Sequence, residues 1–119
     1  MRDWQTMFWL LYLRLEGAGI HEFIKKAPKD ATNCIATFDG GLSLVVKARP
    51  EGKLEIKISA PEVALKTTIG QGYGQAGLEA DKLSSRGQEG QWEELIKQIV
   101  AQVPLYDLEK IFQWVVTDG

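Results

Sequence analysis

Apolar and polar positions recur with two different periods along this chain, and the change of period separates predicted helices from a predicted sheet. Near the N-terminus the apolar residues recur at helical spacing. The members of this stripe are Trp4, Met7, Phe8, Leu11 and Leu15. Asp3 is a suitable N-cap and Gly17 a suitable stop, so the pattern predicts a helix between them. A strand over residues 11–16 also fits the local alternation, but the helix is favoured because its period and both of its ends agree.

The predicted N-terminal helix is apolar on most of its circumference. Trp9, Leu10 and Leu13 lie off the main stripe and extend the apolar surface around the helix. A helix with this pattern is buried on most of its surface, and a chain of this length has little with which to cover it. We therefore expect Trp9, Leu10 and Leu13 to form an interface, most simply in a homodimer.

From Cys34 onward the apolar period changes to two, which is typical of strands. The pattern predicts strands over residues 34–38, 42–49, 54–59 and 63–69, joined by short turns into an antiparallel meander. In the third strand the alternation places Leu54, Ile56 and Ile58 in the core and turns the residues between them outward.

Helical spacing resumes after the strands. It predicts a short helix over residues 20–24, a longer one over 92–103 that Pro104 ends, and another over 105–116. The predicted fold class is therefore α+β, with an N-terminal helix, a four-stranded antiparallel meander and two C-terminal helices packed on one face of the sheet. We expect residues 1–119 to form a single domain with a flexible glycine-rich segment near residues 70–90.

The composition bears on the cellular location of the protein and on whether it has a membrane segment. The chain has 119 residues, a formal net charge of −2 and one cysteine. Secreted domains of this size usually carry several disulfides, so one cysteine favours a reducing, cytoplasmic location. The apolar run over residues 7–13 is too short for the ~20 residues of a membrane span, so we expect no membrane segment.

The residue types needed for catalysis or metal binding are scarce. His21-Glu22 begins like a zinc-protease motif, but Lys25 occupies the position of the second histidine. Cys34 and His21 could pair as nucleophile and base only if folding brought them together, and a thiol at the start of an apolar strand is more often inert. The glycines over residues 70–74 lack the lysine and hydroxyl residue of a phosphate loop. We predict no enzyme activity, no metal site and no cofactor.

The polar face of the predicted meander carries a surplus of positive charge. Only Glu55 and Glu62 oppose its cations, which are Lys47, Arg49, Lys53, Lys57 and Lys66. Such a face could follow a phosphate backbone, although lysines also keep exposed sheets from aggregating. It offers no aromatic side chain for stacking on bases.

These observations favour a small, non-enzymatic accessory protein that acts through protein–protein interaction and associates with itself. One alternative is a nucleic-acid-binding protein that uses the lysine-rich face. A second alternative is a small-ligand carrier with a pocket between the sheet and the helices.

Overall fold

A computed structural model describes residues 3–29, 31–70 and 84–116 of the chain. Three helices and six strands are present within these ranges. In chain order they are α1 (Asp3–Gly17), α2 (Ile20–Lys25), β1 (Ala31–Phe38), β2 (Leu42–Arg49), β3 (Lys53–Ser59), β4 (Ala64–Ile69), β5 (Ser84–Arg86), α3 (Glu89–Gln102) and β6 (Phe112–Val116). The α+β class predicted from the sequence is confirmed, and the sheet contains two strands more than predicted.

The six strands form one antiparallel sheet in the order β5-β4-β3-β2-β1-β6. Apolar and polar residues alternate along the strands, so most apolar residues share one face of the sheet, which we call the core face. Leu54, Ile56 and Ile58 of β3 are fully buried on it, as predicted. The β1–β2 turn depends on glycine: Gly41 has φ +78°, and an added Cβ would lie 3.3 Å from the Pro61 ring.

All three helices pack against the core face. Helix α1 begins and ends where its sequence pattern predicts, and it lies against α3, with Trp4 and Trp92 in an edge-to-face contact at 5.4 Å. Helix α3 starts three residues earlier than its apolar stripe because Gln88 and Gln91 form a reciprocal capping box. The short helix α2 places Phe23 on the ring of Trp114, 5.0 Å away.

The prediction of a second C-terminal helix over residues 105–116 is wrong. Residues Leu108–Lys110 form a single 3₁₀ turn, and β6 follows it as an edge strand beside β1. Phe112 and Trp114 pair with Ala36 and Cys34, so both face the core as alternate residues of a strand do. Trp114 is therefore the one tryptophan that does not lie in a helix.

The glycine-rich segment falls largely outside the described residues. Residues 71–83 are not described, so the predicted flexibility there stays a prediction. The end of the predicted segment is regular: Ser84–Arg86 pairs with β4, and Gly90 lies in the first turn of α3.

Candidate functional site: the open face of the sheet

The second face of the sheet carries the polar residues of the strands, and no described helix packs on it. Because directly opposite residues in an antiparallel pair share a face, the register identifies its members. We call this surface the open face. Its members with described side chains are Asn33, Ile35, Thr37, Ser43, Val45, Lys47, Arg49, Lys53, Glu55, Lys57, Ser59, Ala64, Lys66, Thr68, Arg86, Gln113 and Val115.

All five cations singled out from the sequence lie on the open face. Arg49 is opposite Lys53, and Lys57 is opposite Lys66. The sixth cation, Arg86, joins them because β5 pairs with β4 and sets it opposite Ala64. Sequence reasoning missed Arg86 because its strand is only three residues long and lies next to the glycine-rich segment. Glu62, which the sequence pattern placed on this face, lies instead in the β3–β4 turn.

Positive charge is strongly concentrated on the open face. Its described strand residues include six cations and one carboxylate, Glu55, a net charge of +5. The formal net charge of the whole chain is −2, so the remainder carries −7. A local field of this kind attracts anionic partners although the protein as a whole is acidic.

The one carboxylate among the described residues of the open face is already engaged. Arg49 donates a hydrogen bond to Glu55 at 2.7 Å, and Lys47 lies directly opposite Glu55. Partial burial by itself raises the pKa of Glu55, but the hydrogen bond and charge of Arg49 outweigh it, aided by the charges of Lys66 and Lys47. The pKa of Glu55 is therefore lower than usual, and the carboxylate is ionised at neutral pH.

Where β3, β4 and β5 meet, the open face forms a shallow depression. We call it the cationic depression; it has a volume of about 260 Å³ and is lined by Lys57, Ala64, Leu65, Lys66, Ser85 and Arg86. Nη2 of Arg86 donates long hydrogen bonds to the carbonyl oxygens of Ala60 and Pro61, at 3.4 and 3.3 Å. These bonds hold the guanidinium at the rim of the depression.

The apolar residues predicted as an interface are only partly available on the surface of α1. Leu10 and Leu13 are each 44% exposed. Trp9 is half-buried, stacks on the buried ring of Tyr12 at 5.0 Å and packs against the core. More of the apolar surface of α1 is buried than the sequence suggested, because both the sheet and α3 pack against this helix.

His21 and Cys34, the two residues considered for catalysis, have different surroundings in the fold. Nε2 of His21 lies 2.5 Å from Oε1 of Glu16. Burial raises the pKa of Cys34 to about 12, so the thiol is neutral at physiological pH and a poor nucleophile. Within the described residues no three histidine, cysteine or carboxylate side chains are grouped so that they could hold a metal ion.

An apolar groove lies beside α3, at the end of the sheet. It has a volume of about 230 Å³ and is lined by Leu42, Ala60, Val63, Gln91, Glu94, Leu95 and Gln98. Pockets for small ligands usually measure about 300–1,000 Å³, so this groove is smaller than a typical carrier pocket. Among the described helices, none has the length and apolar character needed to span a membrane.

The open face is thus a strongly cationic surface on an otherwise acidic chain. No family model, curated protein or solved structure matches the chain.

Proposed function

We propose that this is a non-enzymatic binding protein that holds a nucleic-acid backbone against the open face of its sheet. The observation that carries the proposal is the charge of the described residues of that face, six cations against one engaged carboxylate, on a sheet surface that no described helix covers. Lysine and arginine contacts to phosphates supply most sequence-independent binding to nucleic acid.

The composition of the open face also constrains how such binding occurs. No aromatic side chain lies among the described residues of this face, whereas proteins that bind single strands usually stack bases on aromatic rings. The cations of the face outnumber its amide side chains, Asn33 and Gln113, so we expect mainly contacts to the phosphate backbone and no preference for single strands over duplexes.

The test is a titration of the full chain with short duplex and single-stranded DNA and RNA at several salt concentrations. Wild-type protein should bind with a negative slope of log affinity against log salt. The double variant Lys57→Gln, Lys66→Gln should bind more weakly, with a slope for duplex DNA that is smaller by about two.

The matched control is Lys25→Gln, Lys110→Gln, which removes the same charge from exposed positions outside the sheet. It should retain nearly all of the wild-type affinity. Equal losses in the two double variants would show that net charge, and not the open face, governs binding. Absence of salt-dependent binding by the wild type would refute the proposal.

A second candidate function is self-association through α1, as the sequence predicts. The specific observation in its favour is that Leu10 and Leu13, one helical turn apart, stand 44% exposed on the side of α1 that faces away from the core. Apolar side chains at neighbouring helical positions are a common element of two-fold interfaces.

Light scattering over a range of concentrations tests this second candidate. The wild type should show a dimer that Leu13→Lys dissociates, while Thr37→Lys should not. Thr37 is a suitable comparison because it is exposed on the open face, on the opposite side of the sheet from α1. A wild type that is monomeric at every concentration would exclude the dimer.

A further inference from the structure

We propose that the cationic depression is a phosphate-binding subsite in which Lys57, Lys66 and Arg86 hold one phosphate group. This inference rests on the proposed function, since it assigns the strongest backbone contact to one part of the open face. It concerns the chemistry of phosphate oxygens, which a nucleic-acid phosphodiester and a small phosphate compound share.

The pairing of the strands forces the two lysines together. Lys57 and Lys66 are directly opposite each other in the β3–β4 pair. Side chains in that relation leave Cβ atoms about 4.5–5.5 Å apart, and two like charges so placed repel each other. Within the described ranges neither lysine forms an ion pair with a carboxylate, and an anion between them would relieve the repulsion.

Arg86 completes the set from the next strand. It is opposite Ala64, two residues from Lys66 on the same face of β4, so it is the diagonal neighbour of Lys66. Its hydrogen bonds to the Ala60 and Pro61 carbonyls use Nη2 and are long, so they position the guanidinium without saturating it. A guanidinium binds phosphate oxygens in pairs, whereas a lysine acts as a point charge.

The rest of the open face lacks this arrangement. Arg49 is bound to Glu55, and Lys47 is opposite the same carboxylate; the charge of Lys66 also acts on Glu55, but within the described ranges Lys66 forms no ion pair with it. The cationic depression has room for a phosphate group, with a volume of about 260 Å³, and none of the described residues that line it is acidic. The cationic depression therefore combines three cations with a concave surface, which is the arrangement that a phosphate group needs.

The first experiment titrates the full chain with inorganic pyrophosphate at low ionic strength, followed by backbone amide NMR shifts, with sodium chloride as the ionic-strength control. Saturable shifts should centre on β3, β4 and β5. Arg86→Gln should weaken binding about tenfold, and Arg86→Lys should restore part of the loss because it returns the charge without the paired donors. Lys110→Gln, outside the sheet, should leave the affinity unchanged within twofold.

A duplex DNA titration of the same variants separates the two proposals. If pyrophosphate binds at β3–β5 but no nucleic acid binds, the subsite stands and the proposed function fails. If duplex DNA binds and Arg86→Gln weakens it no more than Lys110→Gln does, the proposed function stands and the subsite is refuted. Shifts with pyrophosphate that are spread evenly over all cations, or that chloride reproduces, would also refute the subsite. Thermal unfolding of each variant shows that the compared proteins are equally folded.

Discussion

The two faces of strand β3 share one backbone but differ in burial and in charge. On the core face, Leu54, Ile56 and Ile58 are completely buried under the helices. On the open face, Lys53, Glu55 and Lys57 alternate with them and meet further charged residues of the neighbouring strands. Burial of apolar side chains on the core face stabilises the fold. The open face can therefore carry like charges that repel each other, although their repulsion by itself opposes folding.

The largest effect should come from damage to the core face. Ile56→Ala should lower the free energy of unfolding by about 2–5 kcal/mol, because it removes buried methyl groups and leaves a cavity. Urea denaturation measures this change. The comparison is Lys57→Ala, one residue away on the exposed face, which should change stability by less than about 0.5 kcal/mol. Similar costs for the two variants would mean that the faces are not divided as described.

The same contrast between core-face and open-face residues should hold in β6, which the sequence pattern predicted to be part of a helix. Trp114→Ala should cost about 1–3 kcal/mol, because it removes a half-buried ring stacked on Phe23. Gln113→Ala, its exposed neighbour on the open face, should be close to neutral in the same denaturation measurement. Equal losses for the two variants would contradict the alternation of β6 that turns Trp114 inward and Gln113 outward.

A smaller effect, of opposite sign, is expected on the open face. Lys57→Gln should raise the free energy of unfolding by about 0.2–0.5 kcal/mol at low salt, because it removes the repulsion with Lys66. The gain should shrink as salt screens the two charges. Denaturation at two ionic strengths checks it, with Lys110→Gln as the variant expected to show no gain. A loss of stability in Lys57→Gln would show that the two lysines do not repel in the folded protein.

The smallest effect concerns the pH dependence contributed by Glu55. Because the folded protein lowers the pKa of Glu55, this group stabilises the fold above its unfolded pKa, and that contribution is lost as the pH falls through the folded pKa. Glu55→Gln should therefore flatten the decline in stability on the acid side and leave the slope near neutral pH unchanged. Denaturation midpoints across the acidic range measure this difference. An unchanged acid slope in the variant would mean that Arg49 does not stabilise the ionised carboxylate.

The fold could be predicted from the sequence wherever the pattern was local. The period of α1 and its end signals located the helix, and the alternation in β2 and β3 gave the correct inward and outward residues. The candidate site was partly predictable for the same reason, since Lys57 and Lys66 follow from alternation alone. Their direct opposition depends on the β3–β4 register, which no single strand contains.

Sequence by itself determined the class of fold, the elements with a strong local period and the side of each meander strand that carries charge. Only the tertiary structure decided that residues 112–116 form a strand, because apolar residues there fit both periods and the hydrogen-bonding partners lie on β1, far away in the chain. It also brought Arg86 to the open face, since a three-residue strand has too little pattern of its own and exists because β4 offers it an edge. Strand pairing uses partners distant in sequence, so the charge set of the open face is a property of the assembled sheet.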